Sequence, residues 1–195
     1  MCGIVGYLGN KSAKDVIIKG LKRLEYRGYD SAGIATMESN KLVVSKTSGK
    51  VADLVSSLNN DLHKGNIGIG HTRLAILDLG EASNQPMLTE DKNFVLSYNG
   101  EIYNYQELRD GLKNSGVKFS TESDTEVLLK LLSTYGPNCV RTLNGMWAFS
   151  LFDAKSQKIL LSRDRYGVKP LFYFFDENNF IAASEMKSIF SIIGE

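Results

Sequence analysis

The stretch Met146-Trp147-Ala148-Phe149-Ser150-Leu151-Phe152-Asp153 leads through the polar turn Asp153-Ala154-Lys155-Ser156 into Lys158-Ile159-Leu160-Leu161-Ser162-Arg163. Two apolar, β-rich runs separated by a few turn-forming residues are the signature of an antiparallel hairpin. The pattern recurs at residues 171–175 and 179–183 around Asp176-Glu177-Asn178-Asn179, and at 32–37 and 42–47 around Ser39-Asn40. Parallel pairing needs a crossover of a dozen or more residues, so connections this short predict antiparallel sheets.

Further strands are read at residues 3–8, at 67–71 and around Phe94, Leu96 and Tyr98, which alternate with their neighbours. Between the strands, apolar residues recur at helical spacing. Ser12 and Asp15 resemble a capping box ahead of Val16, Ile17, Leu21 and Leu24. Val51, Leu54, Val55 and Leu58 suggest a short helix, and Tyr105, Leu108 and Leu112 another. The segment from Asp124 to Tyr135 turns Val127, Leu128, Leu131 and Leu132 inward, and 184–190 is helix-like. The fold class expected is α+β, with two packed antiparallel sheets flanked by helices.

Composition bounds the function. The chain has 195 residues, 43% hydrophobic and 23% charged, with a formal net charge of +1. Area scaling predicts roughly 9,200 Å² of exposed surface for a folded chain of this size, with a core that needs no disulfide or metal. Near-neutral charge removes the electrostatic case for nucleic acid or an anionic membrane as the main ligand. No apolar run is long enough to span a bilayer, and no basic n-region or apolar h-region marks a secretory signal. Two cysteines and two histidines give neither a disulfide framework nor a zinc quartet, so no metal or other cofactor is expected and a reducing cytoplasm is the default. Ser48-Gly49-Lys50 lacks the upstream glycine of a phosphate loop, position 44 being Val. With three prolines and no linker-like segment, residues 1–195 read as a single domain.

Several residue groups could carry chemistry, and each has a structural alternative. Cys2 would become the terminal residue on removal of Met1. Its α-amine, with a pKa near ~7.7–8.0, could then serve as base for its own thiol; otherwise Cys2 is a small residue opening a strand. Tyr98-Asn99-Gly100-Glu101-Ile102-Tyr103-Asn104 reads either as a strand ended by an Asn-Gly turn or as an oxyanion hole made by the Asn99 amide and the Gly100 N–H. Arg73 could grip a carboxylate or close a salt bridge. Asp124 could hold an ammonium or cap its helix. His71 is a strand-end histidine or half of a Cys–His dyad. The runs from Glu25 to Gly33 and from Arg163 to Leu171 alternate charges around glycine, as loops paired beside a site do, and as solvated turns do.

Taken in order, Cys2-Gly3-Ile4, Arg27-Gly28, Arg73, Asn99-Gly100-Glu101, Ser123-Asp124 and Arg163-Asp164 through Lys169-Pro170-Leu171 resemble the glutaminase domain of class II, N-terminal-nucleophile glutamine amidotransferases. The likeness runs from Cys2 to about Phe190. Residues 1–73 are more similar to the glucosamine-6-phosphate synthase branch, and Leu74 onward, with Asn84-Gln85-Pro86-Met87, to the asparagine synthetase branch. The sugar-synthase branch usually has Trp where this chain has Leu74.

The resemblance implies a four-layer αββα sandwich and hydrolysis of the L-glutamine side-chain amide to glutamate and ammonia through a Cys2 thioester. It implies that Asn99 and Gly100 stabilise the oxyanion and that Arg73 binds the α-carboxylate. Asp124, helped by Glu101, would bind the α-ammonium, and backbone groups of Leu74 and Ile76 would complete the pocket. Arg27 would support the thiolate electrostatically. Relatives of this kind continue into a synthase or isomerase domain that consumes the ammonia. No such acceptor domain is read here, so the chain is expected to be a glutaminase half, either excised or dependent on a separate synthase domain or subunit that consumes the ammonia. An inert binding module of the same fold, with Met1 retained, is the alternative.

Overall fold

A computed structural model describes residues 1–59, 61–75 and 80–194. Among the described residues, ten strands form two antiparallel sheets. The first has six strands in the order β3-β2-β4-β1-β10-β9: β1 (Gly3–Gly9), β2 (Ser31–Glu38), β3 (Lys41–Ser48), β4 (Ile67–Arg73), β9 (Phe172–Phe175) and β10 (Asn179–Ala183). The second has four in the order β5-β6-β7-β8: β5 (Met87–Leu88), β6 (Phe94–Ile102), β7 (Gly145–Asp153) and β8 (Lys158–Arg163).

Helices α1 (Ala13–Lys22), α2 (Val51–Ser57) and α5 (Met186–Ile193) pack on the six-stranded sheet, and α3 (Tyr105–Asn114) and α4 (Asp124–Tyr135) on the other. The result is the α+β, four-layer αββα sandwich. The exposed surface is 9497 Å², close to the value expected from chain length.

Local chemistry explains the elements. All three hairpins form at the expected places. In the first, Ser39 and Asn40 take φ of 48° and 62°, the two left-handed residues of a turn whose twist matches the strands it joins. In α1 the Ser12 hydroxyl accepts from the Asp15 N–H at 3.4 Å, and Val16, Ile17 and Leu21 turn inward. Burial of such side chains contributes about 1.5–3 kcal/mol each.

Three apolar cores result. One lies between α1, α2, α5 and the six-stranded sheet, a second between α3, α4 and the four-stranded sheet. The third joins the sheets through residues such as Ile69, Val95 and Phe152.

Two local expectations are corrected. Asn99-Gly100 is not a turn: β6 runs on through Ile102, with Asn99 opposite Ala148 and Gly100 opposite Trp147 in β7. A nine-residue ladder with a partner strand outweighs the turn preference of one dipeptide. Nor does Asp124 cap α4. Ser123 is the cap, its hydroxyl accepting from the Glu126 N–H at 3.3 Å. Among the described residues, no helix is long and apolar enough to cross a membrane.

Candidate active site

Register brings the flagged residues together. Gly3 pairs with Thr72, so Cys2 comes out of the six-stranded sheet beside Arg73 at the end of β4. Asn99 lies on the facing sheet, at an odd-numbered position of β6 whose side chains point between the sheets, as Val95 does. Asp124 opens α4, and Lys169 follows β8. Cys2, Arg73, Leu74, Asn99, Glu101 and Asp124 line one pocket, together with Gly100 and Lys169.

The geometry around the thiol is specific. The Cys2 N–H donates to Asn99 Oδ1 at 3.1 Å, and Cys2 Sγ lies 3.8 Å from the Leu74 carbonyl oxygen. Arg27 Nε donates to the Cys2 carbonyl at 3.0 Å, while its Nη1 pairs with Glu185 at 2.5 Å. The Tyr26 hydroxyl also donates to that Glu185 oxygen. Arg27 therefore holds the backbone of Cys2 and spends much of its charge on Glu185. Burial pushes the Cys2 thiol above its ordinary pKa, and the charges of the chain's terminal amine, Arg73 and Lys169 oppose that rise.

Asn99 commits its oxygen to Cys2, and its Nδ2, fully buried, has no hydrogen-bond partner. Such orphaned donors are rare in folded proteins and ask for an explanation. The Gly100 N–H is aimed by the pleat. Trp147, opposite Gly100, turns its N–H and C=O toward Asp164, so the pair is of the non-hydrogen-bonded kind. Gly100 then points its amide away from β7, along the edge where the Tyr98 N–H meets Gln85 and the Ile102 N–H meets Asp124.

Asp124 is 5% exposed; one oxygen accepts from the Tyr98 hydroxyl at 2.8 Å and from the Ile102 N–H at 3.0 Å. Burial raises its pKa despite those bonds. Glu101 is raised as well, by burial and by Asp124, with Lys169 opposing. Arg73 donates from Nη1 to Asn84 Oδ1 at 2.9 Å. The loop before β2 fixes its neighbours: Asp30 accepts from the Ala75 N–H at 2.9 Å, and a Cβ on Gly28 would lie 2.5 Å from the Arg73 carbonyl carbon. Ile76 lies outside the described residues.

His71 does not pair with the thiol. Its Nε2 donates to the Tyr98 carbonyl at 2.9 Å, its Nδ1 is buried without a partner, and burial drives its pKa down to about 3. The ring is neutral and bridges the two sheets.

Sequence reading missed Gln85, Tyr98 and Lys169 as site residues. The loop around Lys169 was marked by its charge pattern; Asp164 organises it, accepting from the N–H groups of Tyr166, Val168 and Lys169 at 3.0 Å each. Among the described residues, no group of three His, Cys, Asp or Glu could hold a metal ion. The arrangement places a thiol and an unpaired amide donor between a guanidinium and a carboxylate, which suits a small zwitterion carrying a reactive carbonyl.

Residues 40–194 match the family model described as "Glutamine amidotransferase domain". The chain is 39% identical to a putative asparagine synthetase [glutamine-hydrolyzing] 2 of Methanocaldococcus jannaschii, over 98% of this chain and 35% of that protein. It is 36% identical to the glutamine–fructose-6-phosphate aminotransferase [isomerizing] of Clostridium perfringens, over 97% of this chain and 32% of that one. Among solved structures it is similar to the glutamine phosphoribosylpyrophosphate amidotransferase from B. subtilis complexed with ADP and GMP. That match has a TM-score of 0.88 and 28% identity, covering 99% of this chain and 44% of the other. The chain spans roughly a third of the length of the curated relatives it matches.

Proposed function

This chain belongs to the glutamine amidotransferase domain family, and from that premise we propose that it hydrolyses the side-chain amide of L-glutamine with Cys2 as nucleophile. The observation that carries the reading is the Cys2–Asn99 pairing, which leaves a buried Asn99 Nδ2 unpaired in a pocket also lined by Arg73 and Asp124.

Removal of Met1 frees the α-amine of Cys2. The amine takes the thiol proton, and the thiolate attacks the amide carbon of glutamine. Asn99 Nδ2 and the Gly100 N–H bond the developing oxyanion, where donors fixed in advance need no reorganisation. The ammonium returns its proton to the leaving nitrogen, ammonia departs and a thioester remains. Water, deprotonated by the same amine, attacks the thioester; the C–S bond breaks, the thiol is re-formed and glutamate leaves.

Arg73 pairs with the substrate α-carboxylate, and Asp124 with Glu101 holds the α-ammonium. The backbone of Leu74 closes the pocket. Arg27 positions Cys2 through its carbonyl, and Arg73 and Lys169 supply positive charge for the thiolate. The ammonia passes to a synthase domain or subunit, in keeping with the names of the longer relatives. A reducing cytoplasm suits a free thiol nucleophile.

The test is glutamate release from L-glutamine by the wild type and Cys2→Ala, with the intact mass of each. Turnover that needs Cys2, in protein lacking Met1, supports the reading. Equal rates in the two proteins overturn it. Met1 itself lines the pocket, and a chain that retains it without turnover would be an inert module of the same fold.

A further inference from the structure

The two arms of the pocket, Arg73 on one side and Asn99–Gly100 on the other, meet at one dipeptide. Asn84 and Gln85 are 7% and 4% exposed and lie just ahead of β5. Asn84 accepts from Arg73 Nη1 through Oδ1 and from Lys46 Nζ through its carbonyl, both at 2.9 Å. Gln85 Oε1 accepts from the Tyr98 N–H at 2.6 Å, and its Nε2 donates to the Tyr98 carbonyl at 3.1 Å.

Register explains why a side chain makes these bonds. In the β5–β6 pair, Met87 stands opposite Leu96 and Leu88 opposite Val95. The same ladder, extended back along β5, puts Gln85 opposite Tyr98. The Gln85 backbone is instead pressed against β2, where a Cβ on Gly33 would lie 2.3 Å from the Gln85 carbonyl oxygen. The Gln85 side-chain amide offers one acceptor and a donor, the same pair a strand residue offers, and it takes the place of the missing backbone partner. The next two residues of β6 are Asn99 and Gly100. The Tyr98 carbonyl has a second donor in His71, at 2.9 Å, so the distinctive contribution of Gln85 is the acceptor for the Tyr98 N–H.

We propose that Asn84 and Gln85 are positioning residues for glutamine hydrolysis: Gln85 completes the ladder at Tyr98 and so aims the Asn99 amide and the Gly100 N–H, while Asn84 holds the Arg73 guanidinium in place for the substrate carboxylate. The proposal rests on the hydrolase reading above and divides the labour within it. Gln85 acts on the oxyanion side, in the transition state, and Asn84 on the side that binds substrate.

The experiment combines steady-state kinetics of wild type, Gln85→Met, Gln85→Glu and Asn84→Ala with backbone amide exchange along β6 in the same proteins. Gln85→Met fills the same volume without the acceptor; a misaimed site of this kind loses about 10²-fold in kcat, and KM should change little. Gln85→Glu keeps an acceptor for the Tyr98 N–H and should recover part of kcat. Asn84→Ala should raise KM about 10-fold, the worth of a hydrogen bond to a charged group, with kcat preserved. Exchange at Tyr98 and its neighbours should quicken in Gln85→Met and not in Asn84→Ala.

Equal losses in kcat and KM for both residues, or unchanged exchange at Tyr98 in Gln85→Met, overturn the proposal. A wild type without glutaminase activity overturns the functional reading instead. In that case the exchange pattern and L-glutamate binding, weakened by Asn84→Ala and not by Gln85→Met, decide the positioning roles on their own.

Discussion

Asn99 receives the Cys2 N–H on its Oδ1 at 3.1 Å and keeps its buried Nδ2 without a partner. The same amide thus orients the nucleophile's nitrogen and offers a donor that none of the described residues uses. Asn99→Ala should lower kcat by about 10²–10³. Asn99→Asp keeps the oxygen for Cys2 and loses the donor, so it should be impaired nearly as much. An Asn99→Asp enzyme with wild-type kcat would contradict the oxyanion role.

Asp124 has one oxygen tied to Tyr98 and Ile102 at the pocket wall. Asp124→Asn should raise KM for glutamine by roughly 10-fold to 100-fold, the equivalent of about 1.5–3 kcal/mol for a charged hydrogen bond. kcat should change less. Kinetics at saturating and limiting glutamine separate the two effects.

The carboxylates also predict a pH dependence of binding. Burial raises Asp124, and burial with Asp124 raises Glu101. Protonation removes the charge that holds the substrate ammonium, so KM should climb as pH falls. The climb should begin above the usual carboxylate range near about 4. A KM that stays level down to that range would count against Asp124 and Glu101 as the ammonium site.

His71 predicts a pH dependence of stability. Its folded pKa is depressed to about 3 by burial, against about 6.5 when unfolded. Between those values the unfolded chain binds the extra proton, so stability falls as pH drops, by up to about 1.4 kcal/mol per pH unit. His63, lowered by burial as well, adds to the same slope. In urea unfolding from pH 7 to pH 5, His71→Gln should show a shallower decline than the wild type. Parallel curves would rule the histidine out as a source of the slope.

Asp164 is 6% exposed and accepts from Trp147, Tyr166, Val168 and Lys169 N–H groups. Asp164→Ala leaves these amides without their acceptor, at a cost of roughly 1–3 kcal/mol. For a domain of this size that is a fall in Tm of about 2–4 °C per kcal/mol. Lys169 would lose its fixed backbone, so glutaminase activity should fall in the protein that remains folded. A thermal melt beside an activity assay checks both.

Much of this fold could be read from residue pattern. Hairpin turns, period-two alternation and short apolar runs marked nine of the ten strands among the described residues, and apolar spacing marked the helices, because each depends on neighbours close in sequence. The two-residue β5 has no pattern of its own; it exists because β6 lies beside it. Asn99-Gly100 misled for the same reason, since its local turn preference yields to a ladder with β7 that sequence does not display. At the site, residues with distinctive chemistry (Cys2, Arg73 and Asp124) stood out. Gln85 and Tyr98 did not, because their roles come from register: one supplies a strand's missing hydrogen bonds with a side chain, the other lends its hydroxyl to Asp124.

β6 carries its chemistry on both faces, Asn99 toward the opposite sheet and Tyr98 toward α4. Sliding the strand by a single position would exchange the two, sending the amide into the helical layer and the phenol between the sheets. No partial site survives that error. Turnover per reactive Cys2 in a preparation is therefore a gauge of folding fidelity, counting those molecules in which the two sheets have met in correct alignment.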